Sequence, residues 1–131
     1  MATTPVSLDS AFSGISDHWA PRIAAELNGH HVKIARILGE FVWHHHADED
    51  ELFLVWKGTL TLRLRDTGPR WDPQLPSSVT LGPGDLFVVP RGVDHLPVAV
   101  EEVQLVMFEP ASTLNTGNVR NERTVDDLDA C

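Results

Sequence analysis

His44 and His46 stand one residue apart, and Glu51 opens the next apolar run five residues further on. Along an extended strand side chains alternate with period two, so both imidazoles project from one face with Val42, while Phe41, Trp43 and His45 project from the other. Glu51 shares a face with Phe53 and Val55, which brings its carboxylate alongside the histidine pair across the acidic turn Ala47-Asp48-Glu49-Asp50. His95 follows a glycine-bracketed turn between two later strands. Three imidazoles and one carboxylate suit a divalent transition metal such as Fe, Mn, Ni, Zn or Cu. An octahedral ion held this way keeps two positions open, as catalytic rather than structural sites do. Two plainer readings compete: a solvated histidine pair, and a chance run, His44-His45-His46, in a His-rich loop. The flanking runs Phe41-Val42-Trp43 and Leu52-Phe53-Leu54-Val55-Trp56 argue for burial. A buried imidazole needs partners, because an unsatisfied polar group costs about 1–3 kcal/mol.

Positioning these groups falls to short apolar runs broken by Gly, Pro and Asp, the texture of an antiparallel sandwich or barrel. The runs are 31–38, 40–46, 51–56, 59–65, 79–81, 86–89, 93–100 and 103–108, giving eight or nine strands and an all-β barrel or jelly roll. Within the fourth, Leu60, Leu62 and Leu64 face inward and the Thr and Arg residues outward. Gly58, Gly84 and Gly92 mark tight turns, and Pro90 ends a strand. Three segments follow: a short N-terminal arm (1–29), a barrel (30–110) and a polar tail (111–131) with a turn at Asn115-Thr116-Gly117. Within the arm, Ser16 to Leu27 is expected to hold a helical turn or two, with Pro21 near its start. Strand parity places no ionisable side chain inside the barrel besides the four named above.

Composition narrows the function. A net charge of -9, with Arg63, Arg65 and Arg70 as the densest basic group, excludes a nucleic-acid partner and an anionic membrane surface. With one cysteine, Cys131, no internal disulfide forms. The N-terminus has neither a basic region nor an apolar run, so the cytoplasm is the expected location. No tyrosine is present, which excludes any mechanism that needs a phenol.

Gly39-x4-His44-x-His46-x4-Glu51-x6-Gly58 resembles the first cupin motif, and Gly84-x5-Pro90-x-Gly92-x2-His95 resembles the second. The resemblance covers about residues 30 to 110 and implies a cupin double-stranded β-helix, usually dimeric, with one divalent metal held by His44, His46, Glu51 and His95. Two departures exist: the first glycine lies four residues before His44 where the pattern has five, and Ala99 stands where Asn is common. Cupins span dioxygenases, decarboxylases, isomerases, lyases and non-catalytic binding proteins, so the fold cannot select the reaction. Chemistry carried by a metal fits this sequence best: an oxygenase-like enzyme acting on a small organic substrate. The alternatives are a Lewis-acid isomerase or lyase of sugar or keto-acid metabolism, for which Glu49 is the candidate base, and a small-ligand binding module. Apolar side chains on the face opposite the imidazoles predict a homodimer, unless the arm covers that face with Phe12, Trp19 and Ile23.

Overall fold

Alternating apolar residues in successive short runs leave one side of each run with nowhere to go but inward, and the described residues form seven strands and one short helix. The computed structural model describes residues 4–66, 68 and 71–131; Arg70 lies outside the described residues. The elements are α1 (Leu8–Ser13), β1 (Arg22–Leu27), β2 (His30–Glu40), β3 (Glu51–Lys57), β4 (Leu60–Arg65), β5 (Ser78–Leu81), β6 (Leu86–Val89) and β7 (Asp94–Pro110). All strand pairings are antiparallel, in the order β1-β2-β7-β3-β6, with β4 joining β7 to β5. Among the described residues no helix is long and apolar enough to cross a membrane.

The long strand β7 organises the whole. Its first residues, Asp94 to Val98, pair with β4; from Val98 to Pro110 it runs beside β2, and Gln104 to Phe108 also pair with β3. The expected runs 93–100 and 103–108 are therefore one strand. Glu101 and Glu102 do not break it, because they point into solvent, where Glu102 pairs with Arg36 and His18. The run 40–46 is not a strand beyond Glu40, which with the fusion leaves six of the eight expected runs as strands; β1, not among them, makes seven.

Inside the sheet lie Leu60, Leu62, Leu64, Phe53, Val55, Ala35, Ile37, Leu105 and Met107. Each large side chain buried there contributes about 1.5–3 kcal/mol. The inward set on β4 is the one the alternation predicts.

The N-terminal segment departs from expectation. The helix falls at Leu8–Ser13, where Ser7 accepts from the Ser10 N–H at 3.3 Å, and Arg22–Leu27 is a strand rather than a helical turn. Its cause is Asn28-Gly29, whose positive φ values of 48° and 76° build the two-residue turn that matches strand twist. Helix α1 packs Phe12 and Ile15 onto Ile34, with Ala24 and Val106 alongside, and so covers part of the outer face of β1, β2 and β7.

Candidate metal centre

The four side chains singled out by spacing arrive from three places. Glu51 is the first residue of β3, opposite Val89 of β6, and points inward with Phe53 and Val55. His95, fully buried on β7, sits opposite Leu64 of β4. His44 and His46 lie between β2 and β3, on a segment that belongs to no strand.

That segment is held by bonds from its neighbours. The Phe41 N–H donates to Pro97 O at 3.0 Å, His44 and His95 exchange backbone bonds of 3.1 and 2.8 Å, and the Gly92 N–H donates to His46 O at 2.7 Å. Parity holds over its last three residues: His44 and His46 are buried, and half-buried His45 turns away to Asp94, with Nδ1 3.3 Å from Oδ1. It fails at Phe41, which was expected to face away. Past Gly39 (φ 85°) the ladder ends at Glu40, and without it to enforce alternation Phe41 turns in, meets His44 edge-on at 5.3 Å and stacks on Trp19 at 4.7 Å. Trp43 does face out, beneath Arg65 at 4.2 Å.

The rings are oriented for coordination. His44 Nδ1 lies 2.9 Å from Val42 O, and His95 Nδ1 lies 2.9 Å from Val93 O. A carbonyl only accepts, so each Nδ1 carries the proton and each Nε2 presents its lone pair. His46 Nε2 and His95 Nε2 both lie 3.4 Å from Glu51 Oε1. One donor atom from each of the four residues falls within 4.8 Å of all the others, a group that could hold a metal ion. His46 Nε2, His95 Nε2 and Glu51 Oε1 are buried and have no hydrogen-bond partner. Buried polar atoms are almost always satisfied, so three orphans facing one another fit a bound cation. Burial, and then the neighbouring His95, push the His44 imidazole down to about 3, which leaves it neutral and able to coordinate.

Beside this cluster lies a cavity of about 40 Å³, walled by Ile37, Phe41, Phe53, Leu105 and Met107, with His44, Glu51, Glu109 and Asn115 also on its lining. Glu109 corrects the expectation that no other ionisable group enters the barrel. Lys33 and Glu109 are both buried, with Nζ 2.7 Å from Oε1, and Lys33 also donates to Thr113 O at 3.1 Å. Parity carried the signal: Lys33 shares a face with Ala35 and Ile37, and Glu109 with Leu105 and Met107. Burial, with the Glu51 carboxylate beside it, pushes Glu109 well above the usual carboxylate range. Burial would raise Glu51 too, but the Glu109, His46 and His95 side chains that face it outweigh burial and hold Glu51 well below that range. Glu49 does not reach the cavity; it accepts from Ser112 Oγ at 3.0 Å and lines an outer cleft with Asp48, Asp50 and Arg91.

The C-terminal tail, silent in the sequence, packs along the histidine segment. The Asn118 side chain accepts from the His45 N–H at 2.9 Å, and its own N–H donates to His45 O at 3.1 Å. Arg123 lies over the rings of Trp19 and Phe41, at 5.1 and 5.7 Å, and donates to Glu40 O at 2.7 Å. Beyond it, Ile23 exchanges backbone bonds with Asp129 and Cys131, laying the last residues beside β1.

Comparison with known proteins gives a consistent picture. The profile of the cupin domain family Cupin_2 matches residues 35–109. A crystal structure of a cupin-2 domain containing protein from Shewanella frigidimarina NCIMB 400 is similar, with 40% identity, a TM-score of 0.70 and coverage of 80% of this chain and 93% of that one. The protein YdbB of Bacillus subtilis (strain 168) is 35% identical over 71 residues, which are 54% of this chain and about half, 55%, of YdbB. Hydroquinone 1,2-dioxygenase from Sphingomonas sp. TTNP3, solved with 4-hydroxybenzoate bound, has a TM-score of 0.71 at 18% identity, over 83% of this chain and 32% of its own. That last likeness is one of fold.

Proposed function

The chain belongs to the cupin domain family, and on that premise we propose that His44, His46, Glu51 and His95 hold one divalent transition metal at which a small organic substrate reacts in an oxygenase-like way. One observation carries the reading: three buried atoms without partners, together with His44, lie within the span of a single ion beside an apolar cavity. A bound ion would supply Lewis acidity and open positions for oxygen donors. The chain's own residues orient the ligands and line the site. The carbonyls of Val42 and Val93 fix the His44 and His95 rings through Nδ1, as partners of metal-binding histidines do. Phe41, Phe53 and Met107 give the adjoining space an apolar wall.

Metal analysis of protein purified without added metal tests the site, and oxygen uptake over a panel of enols, catechols and keto acids tests the reaction. His95→Ala is expected to lose most bound metal while His45→Ala keeps it, since His45 turns towards Asp94. Equal loss in the two variants would contradict the assignment. A Lewis-acid isomerase or lyase is the second reading, favoured by one observation: Glu109 places a carboxyl in the cavity that is not among the four proposed ligands. Substrate turnover without oxygen uptake would favour it.

The proposal extends to assembly as a homodimer. Leu86 and Val88 of β6 are exposed on the outer face, and Trp56 of β3 is exposed too, although its indole N–H donates to Asp9 of α1 at 2.8 Å. Contiguous apolar surface of this kind marks an interface.

A further inference from the structure

We infer that the C-terminal tail is part of the metal site's scaffold, with Asn118 and Gly117 acting as positioning residues for the His44–His46 segment. The inference rests on the proposed reading of His44 and His46 as metal ligands. Its origin is a contrast between the two halves of the site. Glu51 and His95 sit on strands whose ladders fix their backbones. Residues 41 to 46 have no continuous ladder, only the isolated bridge of His44 to His95 and single bonds beside it, although two of the four side chains hang from them. What replaces the missing neighbour strand on one side is the tail.

Asn118 straddles His45, the residue between the two ligands, and takes both its backbone groups: the N–H through Oδ1 at 2.9 Å and the carbonyl through its own N–H at 3.1 Å. This is the pair of bonds that a strand partner would supply. Gly117 makes the approach possible. Its φ of 56° lies in the left-handed region, and a Cβ there would overlap the His45 carbonyl oxygen and come within 3.1 Å of His44 Cδ2. The tail is itself braced for the task. Thr116 is fully buried with its hydroxyl 2.7 Å from that of Thr124, and Asn115 bonds Arg123 O at 2.7 Å and the Val125 N–H at 2.9 Å. Arg123 then grips the far end of the segment at Glu40 and Phe41. A histidine pair tied to the sheet on one side by the His44–His95 bridge is thereby held on the other side too, in one geometry before an ion arrives.

Removing a group that orients a metal ligand typically weakens metal affinity about 10- to 100-fold. Competition with a chromophoric chelator, using Zn²⁺ and Co²⁺ as probes on the full chain, measures this directly. Asn118→Ala is expected to bind either ion about tenfold more weakly and to alter the visible spectrum of the cobalt form. Asn118→Asp, which keeps the accepting oxygen and the backbone N–H, is expected to restore both. Gly117→Ala is expected to weaken binding in the same direction, by pushing the tail off His45. A merely structural tail predicts a different pattern: a lower melting temperature of the metal-free Asn118→Ala protein with unchanged ion affinity and spectrum, which would overturn the inference. Failure of Asn118→Asp to recover affinity would also overturn it. Absence of Zn²⁺ and Co²⁺ binding in the wild-type chain would instead remove the metal-site reading on which it stands.

Discussion

A neutral imidazole buried among other imidazoles has a consequence for stability without metal. His44 is held down to about 3, mainly by burial, whereas an unfolded chain carries it near the ordinary value of about 6.5. Between those values the unfolded state binds the proton and the folded state does not. Stability therefore falls as pH drops through that window, by at most about 1.4 kcal/mol per pH unit from this group. Urea unfolding of metal-free protein at pH 7 and pH 5 is expected to show the loss, and His44→Gln to reduce the difference between the two. An unchanged pH dependence in that variant would mean that His44 is not kept neutral by the fold. The buried Lys33–Glu109 pair makes a separate demand. Lys33→Met alone strands a buried carboxyl and is expected to be destabilising, while the double variant Lys33→Met/Glu109→Leu returns most of the loss. Chemical denaturation of the two variants checks this; equal losses would show that the pair is not coupled.

At the scale of elements, glycines with the same sign of φ are not equivalent. Gly58 (φ 92°) turns β3 into β4, and a Cβ there would lie 2.7 Å from Glu102 O, whereas Gly39 (φ 85°) has open space around it. Gly39→Ala carries only the left-handed penalty of about 1–2 kcal/mol. Gly58→Ala adds a backbone clash and is expected to be the more destabilising of the two, which unfolding curves would show. What the sequence revealed of the elements follows the same logic of local against distant causes. The Leu60-Leu62-Leu64 face and the inward placement of Glu51 were legible, because period-two alternation is enforced wherever a strand has partners. The inward turn of Phe41 was not, since it depends on the ladder ending after Glu40, a fact about β7 and β4 rather than about residues 41–46. Helix α1 and strand β1 were legible in principle: Ser7 is a capping residue and Asn28-Gly29 a hairpin turn. Parity placed Lys33 and Glu109 each on an inward face, but that they pair was hidden by distance, since they are 76 residues apart. The tail's contacts with His45 were invisible for the same reason.

For the whole molecule, the outer surface of β3 and β6 decides the state of assembly. Helix α1 already serves the expected alternative in part, burying Phe12 over Ile34, yet Leu86 and Val88 remain 56% and 44% exposed. Sedimentation at micromolar concentration is expected to give a dimer, and Leu86→Asp with Val88→Asp a folded monomer. A wild-type monomer would mean that the exposed strip is too small to bind a second copy. The tail has a kinetic consequence as well. If an ion bound as proposed left by way of residues 41–46, that segment would have to open, and Asn118 and Arg123 to let go of His45 and Glu40. Exchange of one metal for another would then run at the pace of local unfolding, not at the pace set by the affinities of the two ions. At equilibrium copper would outcompete most rivals for such a donor set. Behind a slow door the occupant would instead be the ion present when the chain closed, and a metal found in the protein would be a record of its history.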